Sequence, residues 1–168
     1  PWGMNTGFWD AEGLGGIGIP MLFIAGSQDD TSLYENGIRA IWENASAMPH
    51  ALLTYENGGH NSGAPLPAPA ESYYFNEDKG FDISEHYNDP VWDTVRMNNV
   101  AQHFVTAWLD RALKDDAEKS GYLELVENSN DGVWSMNEDG TAKEDHSYWK
   151  GFGKGTAKGL RYEVRAAE

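Results

Sequence analysis

The chain contains no cysteine, so a disulfide framework, thiol catalysis and a cysteine-ligated metal are all excluded. Basic residues are scarce: 12 Lys and Arg stand against 27 Asp and Glu, a formal charge of −15, and no block of Lys or Arg occurs anywhere. Such a chain repels nucleic-acid phosphates and anionic headgroups, so the expected partner is a small molecule and not a nucleic acid. Long apolar runs are missing too. The longest, Ile19 to Ala25, falls far short of the roughly 20 residues that span a bilayer, so no transmembrane segment is expected. No charged-then-apolar leader is present, and the compartment stays open. The histidines form no pair at helical ligand spacing, and the acidic turns Asn128–Gly132 and Asn137–Gly140 lack the alternating oxygen ligands of a calcium loop. Gly13, Gly15 and Gly18 precede an apolar run where a dinucleotide turn would have to follow one. Neither a metal nor a cofactor is expected.

What is present is enough for one core, with 40% hydrophobic residues in 168. Residues 1–18 are glycine-rich and aperiodic, a loop with aromatic anchors. The run from Ile19 to Gly26 has the unbroken apolar character of a strand buried on both faces of a parallel sheet. Ser32 and Glu35 spell a capping box, which predicts a helix from that point; Ile38, Ile41, Trp42 and Ala45 form its apolar stripe and Pro49 closes it. Ala51 to Glu56 predicts the next strand. Strand, helix and strand make a βαβ unit whose two following loops leave the same sheet edge.

Residues 61–90 are aperiodic, with Pro65, Pro67, Pro69 and several aromatics, and predict a lid or pocket wall. Helical spacing returns at Met97, Val100, Ala101, Phe104, Val105, Trp108, Leu109, Ala112 and Leu113. Ser120–Val126 and Leu160–Arg165 predict short pieces, either helical or extended. Residues 1–116 are thus expected to be the main catalytic part, with 117–168 an extension packed on the same domain.

The chemistry sits in the two loops of the βαβ unit. Asp29 follows the first strand and His60 the second, after Gly58 and Gly59, which permit a sharp turn. Histidine takes a proton from a weak nucleophile only when a carboxylate fixes its tautomer and orientation. Asp29 is the expected acid, with Asp30 as the alternative, and His60 the expected base. His50, His86, His103 and His146 lie at a turn, in a loop, on a helix flank and in a loop, and carry no such pattern. Trp42 and Trp108 fall on apolar stripes and are expected in the core. Trp2, Trp9, Trp134 and Trp149 lie in expected loops suited to lining an apolar site, and Trp2, Trp9, Asn61, Tyr73 and Tyr74 are the candidate pocket residues.

The segments Ile19-Pro-Met-Leu-Phe-Ile-Ala-Gly-Ser-Gln-Asp-Asp and Tyr55-Glu-Asn-Gly-Gly-His-Asn-Ser-Gly-Ala-Pro resemble the acid-to-histidine section of dienelactone hydrolase-like α/β-hydrolases. The likeness continues through His86-Tyr-Asn-Asp-Pro-Val-Trp-Asp-Thr-Val-Arg-Met-Asn-Asn and the helix after it. The resemblance implies an α/β fold of parallel strands with flanking helices. It also implies a serine hydrolase of carboxylic esters or lactones, with Asp29 and His60 as acid and base. One part of the pattern is missing, because no serine lies in Gly-x-Ser-x-Gly: Ser27 follows Ala25 and Ser62 follows His60 at the first glycine position. In this fold the nucleophile and oxyanion loop come earlier in the chain, so the 168 residues are expected to be the C-terminal half, completed by a missing N-terminal half and inactive alone. A peptidase on the same fold is one alternative; a non-catalytic binding module is the other.

Overall fold

The computed structural model describes residues 7–167. Its centre is a mixed sheet of three strands in the order β1-β2-β5, where β1 is Met21–Gly26, β2 His50–Tyr55 and β5 Leu160–Arg165. β1 and β2 run parallel with Met21 opposite His50 and Gly26 opposite Tyr55. β5 pairs antiparallel with the other side of β2, so the sheet is mixed where the sequence predicts parallel strands only. β2, flanked on both sides, is buried along its whole length. Among the described residues β1 has a partner on one side only, and its first four residues are half-buried. The architecture is a mixed α/β arrangement with a small sheet between helical layers, and no barrel among the described residues.

One sheet face is covered by the crossover segment. Ala25 and Leu52 pack there against Tyr34, Ile38 and Trp42. This segment departs from the expected capping box: a single π-type turn, Tyr34–Arg39, leads into α2, Ala40–Asn44. No side chain caps it, and the Ser32 N–H that Glu35 would accept in a capping box is bound instead by the Asp29 carboxylate. Leu33, the residue before the turn, adopts φ 62 and ψ 115. Tyr34 is fixed beyond it, its hydroxyl sharing a hydrogen bond with Thr54 Oγ1 at 2.9 Å and accepting one from Arg161 at 2.9 Å.

The opposite face carries α3, Thr94–Lys114, close to the helix that the apolar spacing predicts. Asp93 caps it by accepting the Arg96 N–H. Met97, Val100 and Phe104 meet Leu53, Tyr55, Leu160 and Tyr162, and the segment after α3 contributes Tyr148, Trp149 and Ala157 to the same core. Trp149, expected among pocket-lining aromatics, is fully buried and donates its indole N–H to Val126 O at 2.8 Å. Residues 60–90 contain short 3-10 turns, His60–Gly63, Ala70–Ser72 and Ile83–His86, and a small hairpin of β3, Phe75–Asn76, and β4, Phe81–Asp82. Ahead of the sheet, Asp10 caps the short helix α1, Ala11–Gly15.

Removal of Trp149 tests whether the C-terminal segment is integral to this core. Trp149→Ala is expected to cost about 4 kcal/mol in urea unfolding, and a loss under about 1 kcal/mol would show that the core closes without it. His103 provides a pH test. Burial among Phe104, Tyr122 and Phe152 lowers its pKa from the ordinary 6.5, so the folded state binds fewer protons than the unfolded state as pH falls below that value. Its contribution is full above pH 6.5 and is lost as pH falls through the lowered value. Unfolding measured at pH 7.5 and 5.5 should show a smaller acid loss for His103→Gln than for the native chain; equal losses would contradict this.

Candidate active site

The two loops leaving β1 and β2 are stitched together by their backbones before any side chain acts. Ser27 N–H donates to Tyr55 O at 3.0 Å and Gln28 N–H to Gly58 O at 2.9 Å. The Asn57 N–H donates to Ser27 Oγ at 2.8 Å, with Asn57 itself at φ 61. Gly26 makes this closeness possible, since a Cβ there would stand 2.2 Å from Gly58 O and from Ser62 Oγ.

Across this junction the His60 Nδ1 lies 3.0 Å from Asp29 Oδ2 and 3.1 Å from Oδ1. The Asp29 side chain is 8% exposed, while His60 is 49% exposed. Asp29 is immobilised from behind, since Oδ1 also accepts the N–H groups of Thr31 at 2.9 Å and Ser32 at 2.8 Å. A carboxylate so held keeps its direction. It favours the His60 tautomer with the proton on Nδ1 and leaves Nε2 with a lone pair. Among the described residues none hydrogen-bonds Nε2. Neither neighbouring serine does so: Ser27 Oγ accepts from Asn57, and Ser62, fully buried, donates to Gly59 O.

Among the described residues Asp30, the alternative acid, bonds only the Thr31 hydroxyl, at 3.4 Å. It lines the depression of about 250 Å³ beside His60, together with Gln28, Asn57, Asn61 and Asn88. Asn61 is occupied there, donating to Asn88 O at 2.7 Å and Glu85 O at 3.3 Å, so it ties the 83–88 turn to the histidine loop. Tyr73 and Tyr74 do not line this depression; both are exposed beside the β3–β4 hairpin. Trp9 is exposed next to the cap of α1 and does not line it either. Trp2 lies outside the described residues. The aromatic wall expected around His60 is replaced by amides and carboxylates, because the aromatics of 73–75 face outward from the hairpin.

A third carboxylate, Asp89, belongs to the site although the acid-and-histidine pattern does not include it. Its Oδ2 accepts the Gly59 N–H at 2.7 Å while Oδ1 accepts those of Val91 and Trp92 at 2.9 and 2.8 Å. It therefore fixes the turn carrying His60 much as the Thr31 and Ser32 amides fix Asp29. The only sequence signal was Asp89 before Pro90, a turn initiator. Among the described residues no group of acids and histidines could hold a metal ion, and no helix is long and apolar enough to cross a membrane.

No family model matches the chain, and neither a curated protein nor a solved structure matches it. The functional reading therefore rests on the site's own geometry. That geometry offers an oriented imidazole with one exposed nitrogen, backed by an almost buried acid. Such a pair can accept and return a proton at the surface.

Asp89→Ala orphans three N–H donors and should cost about 2 kcal/mol of stability. It should also broaden the His60 ring resonances in NMR as the turn loosens. A variant of unchanged stability with unchanged His60 signals would remove Asp89 from this role.

Proposed function

We propose that the chain is the acid- and base-bearing part of a serine hydrolase of carboxylic esters or lactones, on an α/β-hydrolase fold. The observation carrying this reading is the Asp29–His60 contact at 3.0 Å, made by loops from adjacent parallel strands, acid first and histidine second. Asp29 orients the ring through Nδ1. His60 Nε2 takes the proton from a nucleophilic hydroxyl as it attacks the ester carbonyl and returns it to the leaving alcohol, and Asp29 stabilises the imidazolium formed between these steps. The nucleophile and the oxyanion donors come from a preceding segment of a longer protein, and the unpaired side of β1 is the edge along which that segment's sheet continues. A small ester or lactone would approach the half-exposed His60 ring.

In the full-length protein, Asp29→Asn should lower kcat by about 10⁴ with little change in KM, because the imidazole loses its preferred tautomer. Asp30→Asn should have a far smaller effect. Equal losses would sink the assignment of the acid. Unchanged ester turnover in Asp29→Asn would favour a binding module that kept the fold. The 168 residues alone should give no stoichiometric burst from an activated ester.

A further inference from the structure

A wide concavity lies away from His60. It is a cleft of about 700 Å³ between α3 and the segment leading into β5, lined by Val95, Arg96, Asn99, His103, Phe152 and Lys158 among others. A second cleft of about 380 Å³ adjoins it, sharing Asn99 and His103. The two are set on one flank of α3. The other flank faces the 61–90 segment, where Asn98 donates to Pro65 O at 2.8 Å. Neither cleft includes Asp29, His60 or any residue of the depression beside them.

The charge at this cleft runs against the rest of the molecule. With acids outnumbering bases 27 to 12, an exposed cation has many carboxylates to find. Arg39, Arg111, Lys114, Lys119, Arg161 and Arg165 find them. Among the described residues six cations pair with none, and four of them gather here, Arg96 and Lys158 on the cleft and Lys150 and Lys154 on the segment bounding it, the other two being Lys79 and Lys143. Arg96 is also held ready. Its Nη2 donates to Thr156 O at 2.9 Å and Lys158 O at 3.1 Å, and its guanidinium lies 4.5 Å from the centre of the Trp92 ring. A cation fixed in this way loses little freedom on meeting an anion. The floor is apolar, formed by Val100 and Phe152, with the His103 ring 4.9 Å from that of Phe152.

We propose that this cleft binds a small organic monoanion, a carboxylate on an aromatic or branched apolar body, with Arg96 and Lys158 taking the charge and Phe152, Val95 and Val100 the body. The volume suits a ligand of that size, whereas a bare inorganic anion would leave the apolar walls uncovered. Asp93, on the same wall, disfavours a polyanion.

The test is an amide-resolved NMR titration of the 168-residue chain with phenylacetate, with 2-phenylethanol and inorganic phosphate as controls. Saturable shifts should centre on Arg96, Asn99, His103, Phe152 and Lys158, and both controls should bind at least about ten-fold more weakly. Lys158→Glu, an exposed change that leaves the core untouched, should weaken phenylacetate about ten-fold; Arg96→Gln should do the same if it folds. The proposal is overturned by shifts that do not saturate, by equal binding of either control, by indifference to Lys158→Glu, or by shifts centred on Gln28, Gly59 and His60.

Discussion

The Asp29 carboxylate is the point on which the local structure turns. It accepts two backbone N–H groups from the residues that follow it and faces an imidazole from a different strand. Each of these bonds constrains a separate piece of chain. The first two close the turn after β1, and the third locks that turn onto the loop after β2. The parallel register makes the third possible, because Gly26 and Tyr55 end their strands side by side and both chains leave the sheet at one edge. Gly26 then allows an approach that any side chain would block.

The arrangement has a cost, and the structure shows where it falls. Asp29 is anchored at one end of a short link and Tyr34 at the other, through Thr54 and Arg161. Leu33 closes the gap at φ 62, a left-handed value that a branched side chain tolerates poorly, at about 1–3 kcal/mol. The π-type turn beyond it accommodates the same mismatch. On the other side of the junction the positive φ falls on Asn57, a residue type that tolerates it, and Asp89 holds the histidine turn.

The sequence made some of this visible. The unbroken apolar runs identify β1 and β2, the three- and four-residue spacing identifies α3, and the order of strand, acid, strand and histidine singles out Asp29 and His60. The misses have physical causes. Ser32 and Glu35 spell a capping box, but a side-chain acceptor already holds the Ser32 N–H, and spelling cannot reveal that competition. The Leu160–Arg165 strand has two charged arginines and a glutamate within it; its inward residues Leu160 and Tyr162 declare themselves only once β2 stands beside them. The aromatics of 73–75 suggest a pocket by type, yet a hairpin directs them outward. Asp89 reaches the histidine turn through the Gly59 N–H, 30 residues away, which local pattern does not encode.

The tautomer of His60 tests the central claim most directly. Nitrogen-15 NMR of the neutral, ring-labelled imidazole distinguishes a proton on Nδ1 from one on Nε2. The account requires Nδ1–H, donated to Asp29, with Nε2 carrying the lone pair that would receive a nucleophile's proton. A neutral His60 predominantly protonated on Nε2, as an unconstrained imidazole in water is, would show that Asp29 does not orient the ring, and the proton-transfer role would fall with it.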